Sequence, residues 1–176
     1  MAKNSLFLNK NESKIMIFGY HAVKAALKND KRRVKCLTIV EDSWKIYKNE
    51  FQNKIDEIKV ISRKEFNKIY NQEENNQGIL LEAYNLPSVN LDEFLNQTKK
   101  NEKNIIVMLD QINSPQNIGS IIRSAALFGC KAIILNKKNS PSLNSTITKI
   151  ASGGVEVVKY IQVTNLIRSI DKFKKN

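Results

Sequence analysis

Residues 105–136, IIVMLDQINSPQNIGSIIRSAALFGCKAIILN, constrain the fold more tightly than any other stretch of the chain. Ile105 to Leu109 is a short apolar run rich in β-branched residues, which suits a strand buried on both faces. Asp110 ends it, and Gln111 to Asn117 reads as a polar loop broken by Ser114-Pro115. Ile118, Ile121, Ile122, Ala125 and Ala126 then recur at helical spacing. Gly129 stands where a left-handed residue commonly closes a helix, and Cys130 to Leu135 is a second apolar strand. A strand, a crossover helix and a second strand in so short a span make a βαβ unit, so the sheet is expected to be parallel.

Ligands of parallel α/β sheets sit beyond the carboxyl ends of the strands. Asp110 to Gly119, with Arg123 a turn further on, is therefore the expected site. Asn117 is suited to capping the helix, and Gly119 to the close approach of another chain or a ligand. The plainer alternative is that Asn and Gly near a helix start are local punctuation.

Charge points the same way. The chain carries 29 Lys/Arg against 17 Asp/Glu, a formal +12 with a pI near 9.7, which favours a polyanionic partner such as nucleic acid. The half that holds the βαβ unit is the more basic: residues 104–176 have ten Lys/Arg against three Asp/Glu. Lys is the default cation, and only five basic residues are Arg: Arg32, Arg33, Arg63, Arg123 and Arg168. An Arg at 123 suggests a need for a planar, bidentate donor. No apolar run is long enough for a membrane span, and the first fourteen residues lack the apolar core of a signal peptide. Cys36 and Cys130, both in expected strands, fit two structural thiols in a reduced, cytoplasmic setting. The single histidine, His21, has no carboxylate or Cys at a matching spacing, so no metal site is expected.

The domain organisation is expected to be an arm at 1–14, a small α/β domain at 15–84, a linker at 85–104 and a second α/β domain at 105–176. In the first domain, strands are expected at Ile15–Phe18, Val34–Val40, Lys59–Ser62 and Gly78–Tyr84. Helices are expected from Tyr20, from Asp42 to Ile58 and over Lys64–Tyr70, with Trp44, Tyr47, Phe51, Ile55 and Ile58 as one buried stripe. The charged runs Asn29–Arg33 and Lys172–Lys175 read as solvated faces, open to phosphate contact if the partner is RNA. Pro87 opens the linker, and Leu91–Leu95 is a candidate helical turn within it. Beyond the βαβ unit a helix is expected over Asn144–Ser152 and a strand over Val155–Val163, then a last helix capped by Thr164.

Several of these residues carry a resemblance. Asp110, Asn117, Gly119 and Arg123-Ser124-Ala125, in that spacing, resemble the first signature motif of the SpoU/TrmH-type RNA ribose 2′-O-methyltransferases. Phe18-Gly19-x-His21-Ala22-Val23 and Gln77-Gly78-Ile79 resemble the opening and the close of that family's N-terminal RNA-binding domain. The family usually has His where this chain has Asn76. Ser142-Leu143-Asn144 and Lys149-x-Ala151-Ser152-Gly153-Gly154-x-Glu156 resemble the segment between its first two motifs.

The resemblance implies a ribosomal-protein-like α/β domain followed by a parallel-sheet SPOUT, or α/β-knot, domain. Here that second domain is expected to be incomplete and to lack the knot, because the family's two later motifs are not in the sequence. The chain therefore reads as a truncated methyltransferase. By resemblance Arg123 and Asn117 are the catalytic pair; Lys137, Lys138 and His21 are the expected RNA contacts, with a surface or packing residue of the first helix as the plainer reading of His21. S-adenosylmethionine is the cofactor. Its own binding residues are not identifiable in this chain, and the motifs that would carry them are expected beyond Asn176. The partner is rRNA or tRNA, and the family's members are homodimers whose interface lies largely in the absent part. The alternative is a non-catalytic RNA-binding remnant. A generic nucleotide-binding domain is disfavoured, since no GxGxxG or Walker-type loop is present.

Overall fold

A computed structural model describes residues 13–70, 77–98 and 103–175. Asn76, Asn176 and nearly all of the expected N-terminal arm lie outside the described residues.

The first α/β unit comprises β1 (Lys14–Phe18), α1 (Tyr20–Lys28), β2 (Val34–Val40), α2 (Glu41–Phe51), β3 (Ile58–Ile61), α3 (Arg63–Tyr70) and β4 (Ile79–Tyr84). The sheet order is β1-β4-β2-β3, with β4 antiparallel to both neighbours and β2 parallel to β3. β1 alternates exposed and buried residues as an edge strand should: Ile15 and Ile17 face the core, and Met16 faces out. β2 lies in the sheet interior and is buried continuously from Cys36 to Val40. One face packs Leu37, Ile39, Leu81 and Ala83 against Ala22, Val23 and Ala26 of α1 and Phe51 of α2. The other packs Val40 and Leu80 against Phe66 of α3.

The expected Asp42–Ile58 helix is shorter than its apolar stripe suggests. α2 ends at Phe51, Ile55 is buried in the following turn, and Ile58 opens β3. Periodicity alone could not separate a helical stripe from an apolar turn followed by a strand. Gly78 (φ +65°) allows the sheet to close beneath the helices, because a Cβ there would lie 2.5 Å from Val40 Cγ2.

After α4 (Leu91–Gln97), the second unit runs β5 (Ile106–Leu109), α5 (Pro115–Leu127), β6 (Ala132–Asn136), α6 (Ser145–Ile150), a 3-10 turn at Gly154–Glu156, β7 (Lys159–Val163) and α7 (Leu166–Lys175). The sheet β5-β6-β7 is parallel throughout, as the βαβ reading requires. β6 is its central strand, and Ala132 to Leu135 are all fully buried. Ile133 and Leu135 face Ile118 and Ile122 of α5 and Ile147 of α6, while Ala132 and Ile134 face Leu91 and Phe94 of α4. The linker helix thus covers a sheet face, clamped at its start by a capping box between Asn90 and Glu93.

Three local expectations are corrected. Cys130 precedes β6 and does not belong to it. It closes the end of α5 by donating its N–H to the Ala125 carbonyl, while Gly129 (φ +70°) donates to Ala126. The last helix is capped by Asn165, whose Oδ1 accepts from the Arg168 N–H at 2.9 Å, and not by Thr164. The expected strand from Val155 begins only at Lys159, because Gly154–Glu156 turn first.

Candidate functional site

The loop between β5 and α5 is built by its own residues. Asp110 is exposed at the carboxyl end of β5, and Gln111 takes a left-handed φ of +55°, uncommon for a residue with a Cβ. The turn delivers the chain to Ser114, whose hydroxyl accepts from the Asn117 N–H at 3.4 Å. Pro115 occupies the first helical position, where its missing N–H costs nothing. The cap is therefore Ser114 and not Asn117, which sits in the first helical turn. The Ser-Pro pair is the sequence signal for that cap, and it opens the helix instead of breaking the loop.

Asn117 and Arg123 are both exposed. Among the described residues neither side chain has a hydrogen-bond or ion-pair partner. They stand six positions apart, which on an ideal helix is about 9 Å along the axis and ~120° around it. α5 therefore carries their Cα atoms on different sides of the helix. Gly119 also differs from expectation. It is buried, and a Cβ there would lie 2.8 Å from Ile150 Cβ, so its missing side chain admits α6 and not a ligand.

The loop after β6 is tied down on both sides. Ser140 Oγ donates to the Ile112 carbonyl at 3.3 Å, joining this loop to the one after β5. Tyr160 on β7 donates its hydroxyl to the Pro141 carbonyl at 2.6 Å, and Gln162 Nε2 donates to the Ser140 and Pro141 carbonyls at 3.3 Å. Burial pushes the Tyr160 phenol up to about 12, so it remains a neutral donor across any working pH. Sequence reasoning missed these three residues, since a Tyr or Gln in a strand gives no sign of which loop it will reach.

Lys137 and Lys138 are exposed in that loop. Lys137 also lines a groove of about 590 Å³ beneath linker residues 85–90, together with Lys159, Tyr160 and Gln162. Of the five residues singled out from the sequence, Lys137 alone reaches the groove. His21 is exposed in the first turn of α1 with its ring edge-on to Tyr20, on the other sheet unit. Among the described residues no cluster of His, Cys, Asp or Glu could hold a metal ion, and no helix is long and apolar enough to cross a membrane.

A basic two-unit α/β protein with its motif loop at the carboxyl edge of a parallel sheet is the class that fold and site define. The model of the SpoU rRNA methylase family matches residues 104–176, and that of the RNA 2′-O ribose methyltransferase substrate-binding domain matches residues 16–88. The chain is 32% identical over 164 residues to a 23S rRNA (guanosine-2′-O-)-methyltransferase RlmB of Coxiella burnetii, covering 90% of this chain and 65% of that one. It is 30% identical over 166 residues to the RlmB of Blochmanniella floridana, covering 91% and 65%. The SpoU methyltransferase AviRb of Streptomyces viridochromogenes, solved with AdoMet, shares the fold at a TM-score of 0.66 and 17% identity, over 92% of this chain and 60% of that one. The chain belongs to the SpoU/TrmH family. It spans 65% of the length of each of these two RlmB relatives.

Proposed function

We propose that this chain is the RNA-binding and substrate-orienting part of a cytoplasmic RNA ribose 2′-O-methyltransferase that acts on rRNA or tRNA and uses S-adenosylmethionine. The division proposed from the sequence is kept: an arm at 1–14, substrate binding at 15–84, a linker at 85–104 and the methyltransferase part at 105–176. One observation carries the reading. Arg123 has no partner among the described residues and stands on the helix that follows the carboxyl end of a parallel strand, in a sequence matched by both family models.

The reaction needs RNA held with one ribose 2′-hydroxyl in line with a methyl donor. A guanidinium stays protonated at any working pH, so Arg123 is no general base. It binds an anionic oxygen of the RNA: a backbone phosphate, or the ribose oxygen as it loses its proton. Asn117 adds a neutral donor and acceptor one side further round the helix. Lys137 and Lys138 extend the cationic surface along the same sheet edge, and His21 supplies a contact from the other unit.

S-adenosylmethionine supplies a methyl group on a sulfonium. No described residue is assigned to hold it; the groove under the linker is lined by Glu93 as well as by Lys137 and Lys159. We take the working unit to be a homodimer, as in the resembled family. Leu127 and Phe128, 81% and 78% exposed, are apolar surface that a second copy would cover.

Calorimetric titration of the 176-residue chain with S-adenosylmethionine tests the donor site. Micromolar binding would mean that this chain holds the donor itself. No binding, from a chain folded by circular dichroism and still able to bind RNA, would leave the RNA-binding reading in its place.

A further inference from the structure

The run Asn29–Arg33 reads in the sequence as a solvated turn, yet the Arg32 side chain is 0% exposed and that of its partner Glu156 is 2% exposed. The two belong to different sheet units. Arg32 Nη2 donates to Glu156 Oε1 at 2.5 Å, and Nε lies 3.2 Å from both carboxylate oxygens. Its third nitrogen, Nη1, donates to the Tyr84 carbonyl at the end of β4, at 2.8 Å. Asn29 Nδ2 donates to Glu156 Oε2 at 2.7 Å and sits 3.4 Å from the Glu156 carbonyl. Backbones meet beside this cluster. Gly153 (φ +91°) lies so close to α1 that a Cβ there would stand 2.5 Å from Ala25 Cβ and 3.4 Å from the His21 carbonyl oxygen.

A buried ion pair is weak evidence for stability, because desolvating both charges offsets much of their attraction. What a fully hydrogen-bonded pair does supply is direction. Apolar contact between α1 and the Gly153–Gly154 turn tolerates sliding, whereas every displacement here would strand a buried guanidinium or carboxylate.

We propose that Arg32, Asn29 and Glu156 lock the two sheet units into one relative orientation, with Glu156 as the positioning residue. Glu156 contacts neither Arg123 nor Asn117. It fixes the angle at which RNA bound by the first unit reaches the α5 loop, and only this last clause rests on the RNA-binding reading.

The test is a spin-label distance across the units, measured without RNA. Nitroxides are placed at Lys45→Cys on α2 and Asp171→Cys on α7, both exposed, in protein diluted with unlabelled chains so that only distances within one chain are read; Cys36 and Cys130 are buried. The otherwise unaltered chain is expected to give one narrow distance, and Glu156→Ala a distribution at least twice as wide. The double variant Arg32→Met/Glu156→Met removes both charges together and so keeps the chain folded. Its distribution is nevertheless expected to stay wide, which a role in stability alone would not produce. A wide distribution in the unaltered chain, or a narrow one in the folded double variant, overturns the proposal. Narrow and wide distances as expected, in a chain that fails to bind RNA, would uphold the lock and remove the RNA-binding reading alone.

Discussion

Arg32 and Arg123 are the same residue put to opposite uses. Around Arg32 every guanidinium nitrogen finds an acceptor, the side chain is sealed from water, and its carboxylate partner comes from the other sheet unit. Around Arg123 the side chain is exposed and has no partner among the described residues. In a chain that uses Lys for most of its cations, the planar fork of Arg32 joins two parts of the protein, and the proposed function gives that of Arg123 to RNA. A satisfied arginine is a structural element. An unsatisfied one beside a motif loop is available to a ligand.

Stability measurements sharpen this contrast, beginning with the largest effect. Glu156→Ala leaves the Arg32 guanidinium buried and unpaired, and should cost about 3–5 kcal/mol in urea unfolding of the intact chain. A loss below about 1 kcal/mol would mean that the pair behaves as a surface bridge. Gly119→Ala drives a methyl to within 2.8 Å of Ile150 Cβ on α6 and should destabilise by about 1–3 kcal/mol. Neutrality there would reopen the ligand-approach role for Gly119.

Tyr160 gives a smaller effect that depends on pH. Its phenol is raised in the folded state from the ordinary value of 10.0 to about 12, so the folded chain disfavours the phenolate. The stabilisation is fully present below pH 10 and is lost as pH rises through about 12. Unfolding midpoints of the wild type should fall over that window more steeply than those of Tyr160→Phe. Parallel curves would place the Tyr160 hydroxyl in water. At the bottom of the scale, Arg123→Ala should change stability by no more than about 0.5 kcal/mol, measured the same way. A larger loss would make Arg123 structural and erase the contrast with Arg32.

Much of the architecture was legible in the chain itself. The apolar run before Asp110, the spacing of Ile118, Ile122 and Ala125, and Gly129 together specified a parallel βαβ unit, and β5, α5 and β6 form one. Local punctuation was less legible. Ser114 and Asn165 cap through N–H groups three residues on, and neighbouring Asn117 and Thr164 were equally plausible caps by residue type, whereas the close neighbour of Gly119 on α6 is set by packing. Arg32 was misread for a deeper reason. Nothing local distinguishes a solvated Arg in a charged turn from one whose carboxylate lies 124 positions away. Asn117 and Arg123 were singled out through motif spacing, and both are exposed on α5.

The most direct test of the account is the binding of an rRNA fragment at several salt concentrations, for the wild type and for Arg123→Ala. The wild type should bind with an affinity falling steeply with salt, and Arg123→Ala should bind more weakly with a salt slope shallower by about 1. Identical slopes and affinities for the two proteins, or no RNA binding by the folded wild type, would contradict it.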